Sequence, residues 1–444
     1  MGSLSKKDIV EFATITAIII VAFTVYIVKE FSTPLLYGID GPYYYIQVSS
    51  ILKCGHLKYP DPPLAFYILT CFSIILGDVT IGIKVGSVLV TLIAAYAVYY
   101  LVRKVTRTIG GLVAVLIFVF SPMLVRLSFD LIKNAMGLTF LLFTVLFYYL
   151  SLKRRSFVLS ILSAYFIVLT GLTHVLDFAV AYIVISLTSL TLINKRTDLK
   201  LTITPFLFGS TLLILGFLNP YIMGGDPYKG ISFIRSLINN RAFMSNVLEL
   251  SKVIFPALLG IAGFITSIKL KNAIDKRLLL TLSIILILLN LPIYPQQFLW
   301  RFNLMTVVFA PIILGVIVGG MKDLKVGLVL SLVVLGFILP QFTSQIYMVK
   351  PSISLGEYYE IKQLVSKMPK DTVLVVPNTK LRYWIETLTS KVAKSVKDVP
   401  PRSRIIIVLE KTLKHKRPLP PITKPFYNGL FISAYLLPPK PLRP

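Results

Sequence analysis

The sequence predicts an all-α polytopic membrane protein with a small α/β domain at its C-terminal end. Three observations predict it. Of 444 residues, 56% are hydrophobic and the mean hydropathy is +0.80, outside the range of soluble globular domains. Apolar runs of about 20 residues, the length that crosses a bilayer, recur from Ile9 to Pro340. From Gln341 onward the chain turns polar, with Pro at 400, 401, 418, 420 and 421, and short helix and strand patterns alternate. These bounds divide the chain into a transmembrane domain over 1–340 and a C-terminal domain over 341–444.

Charge sets the expected topology. The chain carries 46 Lys plus Arg against 19 Asp plus Glu, and cytoplasmic loops collect the excess. Lys6 and Lys7 precede the first span, Ile9–Val28, which is long enough to remain as a helix and lacks a small-residue cleavage site. The first loop, residues 30–63, is then external, and the apolar stretch from Pro62 to Gly77 is too short to cross. On that parity every even span ends in a basic cluster: Arg103, Lys104 and Arg107; Lys153, Arg154 and Arg155; Lys195, Arg196 and Lys200; Lys269, Lys271, Lys276 and Arg277; Lys322 and Lys325. Odd spans end in polar, less basic loops. The scheme gives about eleven spans, a cytoplasmic N-terminus and an extracytoplasmic C-terminal domain. There Leu355–Met368 and Lys380–Thr389 read as helices, Thr372–Val376 and Ile405–Leu409 as strands, and PPKPLRP as a Pro-rich tail.

The basic excess also fits anionic lipid headgroups and a phosphate-bearing substrate. It forms no patch interleaved with aromatics, which excludes nucleic acid as a partner. The two cysteines, Cys54 and Cys71, have neither metal-site nor disulfide spacing. No P-loop, GxGxxG after a strand, HExxH or CxxC pair is present, so cytosolic nucleotide chemistry has no support.

With so few acids, those at helix–loop junctions carry information. The odd-span exits gather Asp40, Arg126, Asp130, Lys133, His174, Asp177, Asn219, Asp226, Arg235, Arg241 and Arg301 on one face. In YGIDGPYYY, Asp40 stands between glycines and beside Tyr43, a candidate substrate contact. Its carboxylate is placed to take a proton from an acceptor hydroxyl, to cap a Pro42–Lys53 helix, or both. In RLSFDLIKN, Asp130 and Lys133 form either an i, i+3 ion pair at a helix start or a site with Lys133 or Arg126 on a phosphate and Asp130 on a metal or on Lys133. In THVLD, His174 and Asp177 are either structural or contact a substrate or metal. Arg301, beside Trp300, is an interfacial snorkelling residue or a bidentate phosphate clamp.

An Asp shortly after the first span, an aromatic-rich external loop and PDPPLAFYIL (Pro60–Leu69) leading into the next apolar segment together resemble the GT-C superfamily of membrane glycosyltransferases, including protein O-mannosyltransferases and aminoarabinose transferases. LRYWIETLTSKVA (Leu381–Ala393) is similar to the region following the WWDYG signature of oligosaccharyltransferase catalytic subunits. The resemblance implies transfer of a sugar, with inversion, from a polyprenyl-phosphate donor, dolichyl-type in an archaeon, to an extracytoplasmic glycan, protein or lipid. Usage rich in Ile, Val, Lys and Tyr is compatible with such a source. It implies Asp40 as base, Arg126, Lys133 or Arg301 on the leaving phosphate, and a divalent cation, Mg or Mn, at Asp40 and Asp130. Two departures leave the acceptor open: Gly41 follows Asp40 where O-mannosyltransferases carry a second acid, and LRYW replaces the full WWDYG. The competing classes are a transporter or flippase for lipid-linked sugars or small solutes, and a non-catalytic subunit of a membrane complex.

Overall fold

The structure, a computed structural model, describes residues 5–190, 196–238, 250–400, 403–411 and 425–437. Arg241, Lys195, four of the prolines noted above (401, 418, 420 and 421) and the PPKPLRP tail lie outside them, as does the side chain of Asp226. The membrane part runs α1 (Lys6–Glu30), α2 (Gly41–Cys54), α3 (Leu64–Leu76), α4 (Val79–Val105), α5 (Thr108–Val119), α6 (Pro122–Asp130), α7 (Ile132–Arg154), α8 (Phe157–Gly171) and α9 (Val175–Leu190). It continues with α10 (Arg196–Leu218), α11 (Pro220–Met223), α12 (Asp226–Ile238), α13 (Leu250–Lys269), α14 (Ala273–Leu289), α15 (Gln296–Leu304), α16 (Thr306–Gly320) and α17 (Leu324–Met348).

Each expected span falls on one of these helices or, for the third, on the α5–α6 pair. Among the described residues, six helices are long and apolar enough to cross a membrane, or seven if the bent pair is one span. The other expected spans fall on α8, α9 and α13, apolar but shorter, and on α14, which opens with Asp275, Lys276 and Arg277. The chain is a multi-pass membrane protein. Helix α3 has 13 residues and spans about 20 Å at 1.5 Å per residue, short of a hydrocarbon core.

Two breaks place the site. Between α5 and α6 the axis bends by 50°. Pro122 at the start of α6 has no N–H to continue the ladder, and the buried Tyr26 hydroxyl donates to the Val119 carbonyl at 3.1 Å. Between α6 and α7 the helix stops at Leu131 (φ −120°, ψ 54°) and restarts. Asp130 and Lys133 therefore belong to different helices, and the i, i+3 pairing expected for them does not form.

The bundle is held by close helix contact. A Cβ on Gly110 of α5 would lie 2.4 Å from the Gly315 carbonyl of α16, so only glycine permits this approach. At the end away from α2, Arg103 bridges Asp8 (2.8 Å) and Glu11 (2.7 Å), and Lys153 bridges Asp275 (2.9 Å). The start of α1, the ends of α4 and α7 and the start of α14 thus meet on one face.

Beyond α17 come α18 (Leu355–Ser366), β1 (Thr372–Val375), α19 (Thr379–Glu386), β2 (Val392–Ala393), β3 (Arg404–Glu410), β4 (Tyr427–Asn428) and β5 (Ile432–Leu437). They form a five-stranded sheet in the order β2-β1-β3-β5-β4. β1 is parallel to β2 and β3, with Val373 opposite Ile405, and β5 is antiparallel to β3 and β4. The expected helices and the two Ile/Val-rich strands are present; β2, β4 and β5 were not foreseen. One continuous apolar core joins this sheet to the first loop: Leu36, Tyr44, Val48 and Phe66 pack in the same cluster as Ile361, Trp384 and Ile406. Burial of this kind contributes about 25 cal/mol per Å², which seats α2 and α3 between bundle and sheet.

Candidate active site

Asp40 occupies the N-cap position of α2, with Pro42 in the first turn, but its side chain makes no capping hydrogen bond. A capping carboxylate would be spent on backbone N–H groups; this one makes no hydrogen bond among the described residues. Burial pushes its pKa up to about 6, and the neighbouring Asp130 carboxylate adds to the shift; Lys133 and Arg301 oppose it.

The loop before Asp40 is fixed by backbone contacts. Gly38 has φ +69°, a left-handed conformation suited to glycine, and a Cβ there would sit 2.0 Å from Asp130 Oδ1. The Gly38 N–H donates to the Lys350 carbonyl at 3.2 Å, and Gly38 forms a parallel bridge with Pro351. The Ile39 N–H donates to Asp130 Oδ1 at 3.1 Å. Asp130 is thus a loop anchor, set there because α6 ends on it.

Lys133 is also committed. Its ammonium donates to both oxygens of Asp61 at 2.6 Å, and its backbone N–H donates to the Tyr44 hydroxyl at 3.1 Å. The Tyr43 hydroxyl donates to Asp61 Oδ2 at 2.9 Å. Gln47, fully buried, ties the loop together: its amide donates to the Tyr43 hydroxyl and the Tyr59 carbonyl, and its oxygen accepts from the Lys58 and Tyr59 N–H groups. Burial and the Asp61 carboxylate push the Tyr43 hydroxyl pKa well up, so it remains a donor. From the C-terminal part, Glu386 accepts from the Tyr59 hydroxyl at 2.5 Å and pairs with Lys58, while the Tyr383 ring lies 5.5 Å from that of Tyr43.

Two cavities flank the Gly38–Asp40 segment. One, of about 230 Å³, is lined by Gly38, Ile39, Arg126 and Asp130 with Gln345, Met348 and Lys350 from the end of α17 and the residues after it. Arg126 and Arg301 both face the Trp300 ring, at 5.0 and 5.2 Å from its centroid. The other, of about 330 Å³, is lined by Asp40, Asp61, Lys133 and the tyrosines 43, 44, 59 and 383.

His174 and Asp177 line neither cavity. His174 Nδ1 lies 2.8 Å from the fully buried Asp177, and the Asn134 amide nitrogen, turned toward that carboxylate, donates to its two oxygens at 3.0 and 3.2 Å. Gly137 leaves room for the pair. It ties α7 to α9. Among the described residues no group of three or more His, Cys, Asp or Glu is placed to hold an ion; of the two acids expected at a metal, Asp130 accepts the Ile39 N–H through Oδ1 and Asp40 makes no capping hydrogen bond.

Sequence reasoning missed Asp61, Gln47, Tyr59, Lys350, Tyr383 and Glu386. Asp61 had a signal, an acid flanked by prolines in LKYPDPP, and Tyr383 lay in LRYW. Pairings across the whole chain had none.

Residues 60–222, just over a third of the chain, match the family described as dolichyl-phosphate-mannose-protein mannosyltransferase. No curated protein matches the chain in sequence. Among solved structures, ArnT from Cupriavidus metallidurans in the apo state is similar with a TM-score of 0.58 at 11% identity, over 96% of this chain and 98% of that one. The Archaeoglobus fulgidus oligosaccharyltransferase, crystallised with Zn and sulfate, is similar with a TM-score of 0.57 at 14% identity, over 84% of this chain. The chain spans 62% of that protein's length. The chain shares the fold of these two proteins.

Proposed function

We propose that the chain is a glycosyltransferase that moves a sugar, with inversion, from a polyprenyl (dolichyl) phosphate to an extracytoplasmic acceptor, with Asp40 as base. The observation that carries this reading is the unspent, partly buried carboxylate of Asp40, in a segment flanked by one cavity that holds Arg126 and Lys350 and another walled by tyrosines. The family match over residues 60–222 supports the donor class.

The chemistry follows from the groups present. The acceptor hydroxyl gives its proton to Asp40 as its oxygen bonds to the anomeric carbon. The bond from that carbon to the phosphate oxygen breaks, and the electron pair leaves with the phosphate. A phosphate leaving group needs cations more than a proton. Arg126 and Arg301 are assigned to it, and Lys350, on the wall shared with Arg126, joins them. Lys133 is reassigned to holding Asp61 and the loop. The apolar flank of α17, where Val333 and Phe337 are exposed, offers the polyprenyl chain a surface. The face bearing Arg103 and Lys153 is assigned to the cytoplasm and the Asp40 face to the outside.

The test is mass spectrometry of lipid-linked sugars and surface glycans in cells with the wild-type gene, without it, or with Asp40→Asn. Loss of one glycan with accumulation of its donor in both altered strains is expected. Identical glycan profiles in all three would overturn the reading.

A further inference from the structure

We propose that the acceptor taken by Asp40 is a carbohydrate hydroxyl, held in the tyrosine-lined cavity with Tyr383 of α19 as its stacking wall. This rests on the glycosyltransferase reading and adds to it the class of acceptor.

Three features of the cavity point there. The first is its wall. Rings of Tyr43, Tyr59 and Tyr383 cluster, with Tyr43 and Tyr59 stacked at 6.0 Å and Tyr383 tilted against Tyr43 at 5.5 Å. Sugar C–H faces carry partial positive charge and lie against the negative faces of aromatic rings. The second is which polar groups remain unspent. The hydroxyls of Tyr43, Tyr44 and Tyr59 are bound to Asp61, the Lys133 N–H and Glu386, which fixes the rings in place. The Asp40 carboxylate and the Tyr383 hydroxyl, both lining the cavity, make no hydrogen bond among the described residues. A carboxylate and a hydroxyl left open opposite aromatic faces suit a polyol. The third is charge. Lys133 and Asp61 neutralise each other, so the one cation among the residues that line the cavity is already paired. Its volume of about 330 Å³ is at the low end for ligand sites and fits a compact ring rather than an extended peptide. The Tyr383 ring reaches this place because Glu386, one turn further along α19, is gripped by Lys58 and Tyr59.

The test uses the full chain in lipid nanodiscs and saturation-transfer difference NMR. The probes are the methyl glycosides of mannose, glucose, galactose and N-acetylglucosamine, with a short Ser/Thr peptide for comparison. Saturation of the ring protons of at least one glycoside is expected with the wild type. It should be kept in Tyr383→Phe, which retains the ring, and lost in Tyr383→Ala. If Tyr383→Ala does not fold, Tyr383→Leu fills the space without a π face and should lose the signal equally. Saturation of the peptide but of no glycoside, or an undiminished glycoside signal without the aromatic ring, would overturn the inference. Displacement of the glycoside by dolichyl phosphate mannose but not by dolichyl phosphate would assign the cavity to the donor's own sugar and overturn it too. Dolichyl phosphate binding is read in the same samples. If it persists while no glycoside binds, only the acceptor class falls; if it is absent, the glycosyltransferase reading falls.

Discussion

At the scale of single residues, Asp40 carries the largest consequences. Replacing it with Asn removes the proposed proton acceptor and should lower transfer by about 10²- to 10⁴-fold, measured as sugar moved from a dolichyl donor by purified protein. The same change should not harm the fold. Because the folded-state pKa is raised from 3.8 to about 6, the ionised carboxylate is a stability cost that grows as pH rises from about 4 through 6. Asp40→Asn should therefore melt at a higher temperature than the wild type above pH 6, and the two should converge near pH 4. A lower melting temperature at pH 7 would show that the carboxylate is structural. Transfer itself should climb as pH rises through about 6, since only the ionised form accepts a proton. Gly38 is the second residue of consequence. Gly38→Ala places a methyl 2.0 Å from Asp130 Oδ1 at a positive φ, so the loop must move. A displacement near 1 Å at a reacting group costs on the order of 10²-fold in rate, and kinetics of the variant would show it with donor binding preserved. Asp40 and Gly38 were legible in YGIDGPYYY because acids and glycines are conspicuous in an apolar chain. That the Asp40 side chain forms no cap was not legible, since composition permits capping and leaves the rotamer open.

At the scale of elements, the break at Leu131 decides the site. A continuous helix through RLSFDLIKN would align Asp130 and Lys133. The break instead sends Asp130 to the Ile39 N–H and Lys133 to Asp61. Lys133→Met should therefore destabilise by about 1–3 kcal/mol, leaving a partly buried Asp61 without its cation. Adding Asp61→Asn should recover part of that loss, and a thermal double-mutant cycle in detergent measures it. No recovery would mean that the two side chains act independently. The sequence pattern showed helices on both sides of this point, because apolar periodicity is strong there. It placed the span junction in RLSFDLIKN but not the stop at Leu131, because no Pro or Gly marks that point; there Lys133 is held by Tyr44 of α2 and by Asp61. The sheet divides similarly. IIIVL and TVLVV announce β3 and β1 by β-branched content, whereas β2 and β4 have two residues each and leave no pattern.

At the scale of the whole molecule, topology is the testable property. Acid–base clamps at Arg103 and Lys153 draw the ends of α4 and α7 onto the face that holds the start of α1, opposite the first loop. Positive charge retained on the cytoplasmic side then places a reporter fused after Arg155 inside. An external signal from that fusion would invert the assignment of both faces. The proposed parity rests on the rhythm of basic loops, which depends only on counting charges and needs no coordinates.

The pairing of Tyr59 with Glu386 joins positions 327 apart in the chain. Membrane helices enter the bilayer in the order in which they are synthesised, so Asp40, Tyr43 and Tyr59 are delivered first and Tyr383, the stacking wall, last. Until α19 has emerged and docked, the carboxylate stands without the surface assigned to its acceptor. A chain ended between the end of α17 at Met348 and Tyr383 would keep its helices and Asp40, yet lack that surface. The proposed acceptor surface is thus complete only once Tyr383 has been made and α19 has docked.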